Sequence, residues 1–91
     1  MIEVRRSGPK TFAVTIREGT GETRHDVTFS DADHARLGGG THTAEACMKA
    51  AFRFLLDREP KEAILRRFDL TVIARYFPEF ERELPRYLAH R

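Results

Sequence analysis

The chain of 91 residues is long enough for one domain with a modest hydrophobic core and too short for two. Its composition of 41% hydrophobic and 33% charged residues is typical of a folded globular protein and excludes a disordered tail. The net charge of +2 is only mildly basic, whereas strong nucleic-acid binders of this size usually carry a more lopsided charge.

Three further features bound the class of protein. The apolar runs are too short to cross a bilayer, the amino-terminal MIEVRR does not read as a signal peptide, and a single cysteine excludes an internal disulfide. We therefore expect a cytoplasmic protein that does not contact a membrane. Arginine outnumbers lysine 13 to 3, a bias that suits a GC-rich bacterial genome or recognition of carboxylates and phosphates. The genomic explanation is favoured, because the arginines are scattered among acidic residues.

The amino-terminal third alternates apolar and polar residues with the period of two that is typical of β-strands. Turn residues at 7–10 and 19–21 divide it into three segments. The alternating side chains are Ile2 and Val4, then Phe12, Val14 and Ile16, then His25, Val27 and Phe29. We predict a three-stranded antiparallel meander over residues 1–29, with one apolar face that helices must cover.

A short helix should follow the meander. Ser30 is suited to be its N-cap, Leu37 is its last apolar residue, and Gly38 can take the left-handed conformation at its end. Residues 38–40 are all glycine and form the most flexible point of the chain. Thr41 or Thr43 then caps the next helix.

The segment 43–59 predicts the central amphipathic helix of the fold. Polar residues recur on its other side, and Glu45 precedes Lys49 at the spacing of an exposed helical ion pair. The apolar stripe, with the spacing i, i+3, i+4, i+7, consists of Ala44, Cys47, Met48, Ala51, Phe52 and Leu55.

Prolines and one aspartate divide the remaining chain into further predicted helices. Pro60 should start a helix through Ile64, Leu65 and Phe68, and Asp69 should cap a turn that carries Leu70, Ile73, Ala74 and Phe77. Pro78 should open a last helix with Phe80, Leu84, Tyr87 and Leu88 on one face, which Pro85 must kink or divide. The fold class is therefore α+β in one domain, 1–91, with a β-meander (1–29) packed against the central helix and a carboxy-terminal helical layer (30–91).

A three-stranded meander followed by a helix that begins Thr-x-Glu-Ala is similar to the opening of HicB-type antitoxins, which are small bacterial toxin partners. The matching residues are Thr43, Glu45, Ala46 and the apolar run to Leu55, within the first 56 residues. The chain departs from that family in its glycine run and preceding short helix, and in ending with helices instead of a DNA-binding element. We interpret the likeness as shared architecture.

The glycine-rich loop before the central helix is a candidate anion seat, because free amides at a helix start attract negative charge. It lacks the lysine and hydroxyl of a phosphate loop, and a flexible connection is the favoured interpretation. If the loop binds a ligand, the protein would be an enzyme or an anion binder; this is our third hypothesis for its function, after the two given below. Its residues are Gly39, Gly40, Thr41, His42 and Thr43.

The remaining polar clusters do not predict catalysis, and we expect no enzyme, no metal site and no cofactor. His34, His42, Asp31 and Asp33 have no paired spacing that zinc requires, and Cys47 belongs to the apolar stripe. His25 and His90 are expected at the surface. The charged set around Pro60 is explained by helix ends; its members are Asp57, Arg58, Glu59, Lys61 and Glu62.

The carboxy-terminal third is the predicted interaction surface, because arginines are interleaved there with aromatic residues. Our first hypothesis is a small non-catalytic bacterial protein that acts through protein–protein contact or self-association. The second is a nucleic-acid-binding or antitoxin-like regulator in which the arginines contact phosphates. The candidate residues for this surface are Arg66, Arg67, Arg75, Tyr76, Arg82 and Arg86.

Overall fold

The computed structural model describes residues 1–89, and the predicted surface position of His90 lies outside that range. The three predicted strands form an antiparallel meander: β1 is Ile2–Arg6, β2 is Thr11–Glu18 and β3 is Gly21–Thr28. Val4 pairs with Val14, and Val14 pairs with His25. Because side chains alternate between faces, this register places the predicted apolar residues together on the side covered by helices.

The sheet has a fourth strand that the sequence analysis did not predict. β4, Arg67–Asp69, pairs in parallel with β3, so the sheet is mixed, with the strand order β1-β2-β3-β4. The backbone N–H of Asp26 in β3 donates to the carbonyl of Arg66 at 2.7 Å. Without β4, this N–H would lie at an open sheet edge and require water as its partner.

The predicted helix from Pro60 through Phe68 is therefore wrong. Residues Lys61–Ala63 form only a 3₁₀ turn, after which the chain is extended into β4. Ile64 is buried and Leu65 is exposed, as neighbouring side chains are in extended chain. The carboxy-terminal part of the molecule is thus not purely helical.

Helix α1, Asp31–Gly38, is capped as predicted: the Ser30 hydroxyl accepts a hydrogen bond from the Asp33 N–H at 3.1 Å. The sequence analysis predicted that Gly38 takes the left-handed conformation at the end of α1. This prediction is wrong, because the left-handed residue is Gly39. Gly38 is buried in the last turn, where a Cβ atom would lie 3.2 Å from the Cys47 sulfur. Gly38 is needed for the close approach of α1 to the central helix.

The central helix α2, Ala44–Leu56, is capped by Thr43, whose hydroxyl accepts from the Ala46 N–H at 3.0 Å. Met48, Phe52 and Leu55 are buried, as the apolar stripe predicts, and Lys49 is exposed. Two further residues, Ala50 and Phe54, are also buried. The apolar surface of α2 is therefore wider than predicted, because the helix packs against a second layer as well as the sheet.

That second layer comes from the carboxy-terminal helices. Asp69 caps a 3₁₀ turn, Leu70–Val72, which leads into α3, Ile73–Tyr76, and then α4, Phe80–Ala89. Pro85 does not divide α4, which continues to Ala89. The ring of Phe54 packs edge-on against Phe77, Phe80 and Tyr87, with centroid distances of 5.9, 5.1 and 5.7 Å.

A continuous core joins the sheet to the helices on one face, and the other face of the sheet is not covered by a helix. His25 belongs to this core and is 2% exposed, so the expectation of a surface histidine is wrong. Within residues 1–89, none of the helices combines the length and apolarity that crossing a membrane requires.

Candidate functional site

An apolar groove of about 330 Å³ lies where the end of α2 meets β4 and α3. It exists because the chain from 60 to 77 leaves α2, reaches the sheet edge and returns across the core. No single element forms it. The residues that line it are Leu55, Glu59, Ala63, Ile64, Leu65, Phe68, Val72, Ile73, Tyr76 and Phe77.

Two large side chains on the rim of the groove project into solvent. Leu65 is 46% exposed and Tyr76 is 67% exposed. Within residues 1–89, the only other large exposed apolar side chain is Met1, so this is where exposed apolar surface concentrates. Apolar surface gathered at one place beside a groove is typical of a binding site.

Glu59 is the only acidic residue that lines the groove. Burial beside these apolar side chains raises the pKa of the Glu59 carboxyl. Its side chain has no hydrogen bond or ion pair with any other residue in the range 1–89. A partly desolvated carboxylate without a partner favours the arrival of a cation or a hydrogen-bond donor.

His25 supports the rim of the groove from inside the core. Its Nδ1 lies 2.7 Å from the carbonyl oxygen of Leu65, and its Nε2 lies 3.0 Å from the Thr23 hydroxyl. A carbonyl can only accept, so in the neutral ring Nδ1 carries the hydrogen and Nε2 accepts from Thr23. The sequence contained a signal for the buried position of His25, because His25 alternates with Val27 and Phe29 and therefore lies on the same strand face as these apolar residues.

The predicted interaction surface is divided among three places. Arg66 and Arg75 flank the groove as the chain neighbours of Leu65 and Tyr76, and both side chains are exposed. Neither has an ion pair with another residue in the described part of the chain. Of these three predicted residues, Tyr76 lines the groove, and Arg66 and Arg75 are next in the chain to lining residues.

The other three predicted arginines lie elsewhere. Arg67 alternates with Phe68 along β4 and therefore lies on the uncovered face of the sheet, paired in register with Asp26. Arg82 and Arg86 lie on α4, where both interact with Glu83. No single arginine patch forms from the six candidates.

The glycine-rich loop uses several of its amides internally. The N–H groups of Thr41 and His42 both donate to the Gly38 carbonyl, and the His42 carbonyl lies 2.7 Å from Nε2 of His34. Thr43 caps α2, and Glu45 places a carboxylate in its first turn. These contacts leave fewer free amides for an anion than the sequence suggests, and a ligand role for Gly39, Gly40, Thr41, His42 and Thr43 stays a prediction.

The charged set around Pro60 does not converge on one cleft. Asp57 accepts from the Tyr87 hydroxyl, and Arg58 pairs with Glu79 at 3.1 Å while its guanidinium lies 3.6 Å from the Phe54 ring centroid. These contacts join α2 to α4. Lys61 is buried and pairs with Glu62 at 2.8 Å, and only Glu59 reaches the groove.

Nucleophile and metal chemistry find little support in the geometry. Cys47 is fully buried, and this burial raises the pKa of its thiol, which disfavours the reactive thiolate. Across residues 1–89, no three His, Cys, Asp or Glu side chains are grouped closely enough to hold a metal ion.

A second, larger concavity of about 890 Å³ runs along the amino-terminal strands, over part of the uncovered face of the sheet, and reaches Lys49 on α2. Its floor includes Ala13 and Thr15. Arg17 pairs there with Glu3 at 2.6 Å and with Glu22 at 2.9 Å. Because opposite charges neutralise each other on this face, it is the weaker candidate for a binding site.

No family model matches the chain, and neither a curated protein nor a solved structure shows significant similarity to it. We therefore base the proposed function on the geometry of the molecule itself. The apolar groove with its exposed rim is the feature that calls for an explanation.

Proposed function

We propose that the protein is a small non-catalytic bacterial protein of the cytoplasm that binds a protein partner through the groove beside Leu65 and Tyr76. The observation that carries the proposal is the concentration of exposed apolar side chains around an apolar groove. Tyrosines at such positions are enriched among the residues that dominate binding energy at protein interfaces.

The size of the groove sets the expected strength of binding. Covering an exposed leucine or tyrosine removes apolar area from water, and full burial of a large apolar side chain contributes about 1.5–3 kcal/mol. Association costs at least about 4 kcal/mol in lost translation and rotation. A partner that covers only Leu65, Tyr76 and the groove should therefore bind weakly, with a Kd well above the micromolar range.

The groove supports binding better than catalysis. Within residues 1–89, its titratable lining residues are Glu59 and Tyr76, and no serine, cysteine, histidine or lysine of that range lines it. A hydrolytic or transfer reaction would need a nucleophile next to a base, which this lining does not supply. The proposal of a non-enzyme is consistent with that lining.

Nucleic-acid binding is the second candidate, including the antitoxin-like regulator. One observation favours it: Arg75 precedes the exposed Tyr76, Arg66 follows the exposed Leu65, and neither arginine has an ion pair within residues 1–89, so a base could stack on Tyr76 while phosphates contact the arginines. Arg67, Arg82 and Arg86 point elsewhere, which weakens a continuous phosphate-binding path.

Photo-crosslinking at the rim tests the first proposal against the second. A benzophenone amino acid is incorporated in living bacteria in place of Tyr76 and, as a control, in place of Arg24, which is exposed on the uncovered sheet face. We expect adducts at position 76 that protease removes and nuclease does not. A second substitution, Leu65→Asp, should reduce them.

The outcomes separate the hypotheses. Adducts at position 76 that nuclease removes would favour the nucleic-acid role instead. Equal adducts at positions 76 and 24, or none at position 76, would contradict a protein-binding groove.

A further inference from the structure

We infer that the partner in the groove is a second copy of this chain, held in a twofold-symmetric dimer. The inference rests on the proposed function, that the groove binds a protein. It adds the identity of the partner, and charge and shape both support it.

Unpaired charges of both signs lie on this one surface. Many charged side chains elsewhere are paired, as in the Arg17–Glu3, Arg36–Glu81 and Arg58–Glu79 contacts. Within residues 1–89, Arg5, Asp26 and Arg67 on the uncovered sheet face also have no ion pair, but no apolar groove accompanies them. Glu59 lines the groove, and Arg66 and Arg75 are the chain neighbours of the lining residues Leu65 and Tyr76; none of the three has an ion pair with any other residue in the range 1–89. An acidic partner would leave Glu59 unpaired, and a basic partner would leave both arginines unpaired. A second copy supplies both signs.

A twofold axis makes this pairing reciprocal. In such a dimer the same patch lies on both subunits, so each contact between unlike residues occurs twice. Glu59 of each copy can then face an arginine of the other copy. The partial burial of Glu59 makes a cation there more favourable than it would be in open solvent.

The shape of the surface is also suited to itself. A patch that binds its own copy must contain both projections and a depression, and here Leu65 and Tyr76 project beside the groove that they help to line. A ligand that only filled the groove would leave much of both side chains in water. A second copy can cover them.

The dimer should be weak. Ten residues line the groove, whereas a standard stable interface uses roughly 20–30 residues from each side. We therefore expect a Kd on the order of 100 μM, with fast exchange between monomer and dimer.

Sedimentation equilibrium of the purified chain and of charge-reversed variants tests the inference. From about 10 μM to about 1 mM, the wild-type mass should rise from the chain mass of 10.5 kDa toward twice that value. The variants Glu59→Arg and Arg66→Glu/Arg75→Glu should each stay monomeric, because like charges then meet twice across the interface. Mixed in equal amounts, they should form a heterodimer, since both sets of contacts become attractive.

Matched controls remove the effect of net charge. Glu18→Arg and the double variant Arg5→Glu/Lys10→Glu make the same charge changes at exposed positions outside the groove and should associate like wild type. Circular dichroism and thermal unfolding of each variant establish that it is folded, which is expected because the changed side chains are not part of the core.

Several results would overturn the inference. These are a wild-type chain that stays monomeric at about 1 mM, groove variants that dimerise like the controls, and a mixture that associates no better than its components. A crosslinked adduct at position 76 with another protein, together with a monomeric wild type, would overturn the self-partner and leave the protein-binding groove intact. No adduct at position 76 would remove the proposed function itself.

Discussion

Cys47 is a residue whose chemistry is decided by where it packs. It lies on the buried side of α2, beside the last turn of α1, and none of its surface is exposed. Burial raises the pKa of its thiol, so the uncharged form dominates at neutral pH. A cysteine in this state is a small apolar core residue, as the helical periodicity predicts.

We predict that Cys47 is unreactive in the folded protein. With a disulfide reagent such as DTNB, native labelling should be at least about 1000-fold slower than labelling in denaturant, because the thiol becomes accessible only when the structure opens. The control is Arg82→Cys in a Cys47→Ala background, an exposed position that should react at once. Rapid labelling of native Cys47 would reopen the possibility of a catalytic thiol.

Asp69 joins the end of β4 to the turn that follows. Its carboxylate accepts from the Thr28 hydroxyl at 2.6 Å, and from both the hydroxyl and the N–H of Thr71. Partial burial acts to raise the pKa of Asp69, but the hydrogen bonds from Thr28 and Thr71 outweigh it and the pKa is lowered. Asp69 thus adds a side-chain connection between β3 and the end of β4 to the backbone pairing of these two strands.

We predict that Asp69→Ala lowers the free energy of unfolding by about 1–2 kcal/mol at pH 7. A lowered folded-state pKa stabilises the protein above the unfolded value of about 3.9, and this contribution disappears as pH falls through the folded pKa. Urea unfolding should therefore show a larger difference at pH 7 than near pH 3. The control Asp26→Ala, an exposed aspartate on the next strand, should change stability by less than about 0.5 kcal/mol.

The same deficit for Asp69→Ala at both pH values would contradict this account. It would show that the carboxylate charge contributes nothing and that the lost side-chain volume explains the effect.

At the scale of elements, β4 changes the status of β3 from an edge strand to an inner strand. The alternation of hydrogen bonds along β3 directs the Asp26 N–H away from β2, toward the Arg66 carbonyl. In a sheet of three strands that N–H would face water. One amide therefore distinguishes the four-stranded sheet from the predicted meander.

We predict that the Asp26 amide is protected in hydrogen exchange, with a rate at least about 100-fold below that of a free amide. The comparison is Val4 on β1, whose N–H the same alternation directs away from β2, at the opposite edge. Exchange measured residue by residue with NMR gives both rates in one sample. An Asp26 amide that exchanges as fast as Val4 would contradict the fourth strand.

The difference between α2 and β4 explains which elements could be predicted. α2 repeats its apolar spacing over several turns, and an unrelated arrangement rarely does so by chance. β4 has three residues and no repeat. Leu65 and Phe68 are spaced by three, as on one face of a helix, although Leu65 is exposed to solvent and Phe68 packs against Phe52. The ring centroids of Phe68 and Phe52 are 6.0 Å apart. The partner that makes this segment a strand lies 41 positions earlier in the chain, at Val27.

At the scale of the whole molecule, the groove combines α2, β4, α3 and the chain between them. Of the groove residues, the sequence analysis named Tyr76, from the interleaving of arginine with aromatic residues; Arg66 and Arg75, which it also named, are chain neighbours of lining residues. It assigned Glu59 to a helix-end cluster, because no local pattern shows that this carboxylate turns toward an apolar depression. The depression itself results from packing.

We predict that Glu59→Gln stabilises the monomer and weakens self-association. The pKa of Glu59 is raised in the folded state, so its contribution to stability is largest below the unfolded pKa and is lost as pH rises through the folded one. At pH 7 the buried charge is therefore unfavourable, and glutamine removes it. Urea unfolding at low protein concentration should show a larger free energy of unfolding for Glu59→Gln than for wild type at pH 7, and this difference should vanish near pH 4.

The second measurement is sedimentation of the same variant, in which the dimer should weaken because the arginines lose their partner. Glu18→Gln, at an exposed position outside the groove, should change neither quantity. A Glu59→Gln variant that is less stable at pH 7 would show that the carboxylate is satisfied in the monomer.

The sequence alone determined the amino-terminal meander, the central helix, the Ser30 and Asp69 caps and the burial of Cys47, and it left the cap of the central helix between Thr41 and Thr43. Each of these follows from residues close together in the chain, through a repeat or a capping side chain. Only the tertiary structure decided that β4 joins the sheet, that His25 and Phe54 are buried, and that an apolar groove opens beside Tyr76. These depend on which distant segments meet, and that is settled by packing the sheet and the helices around one core.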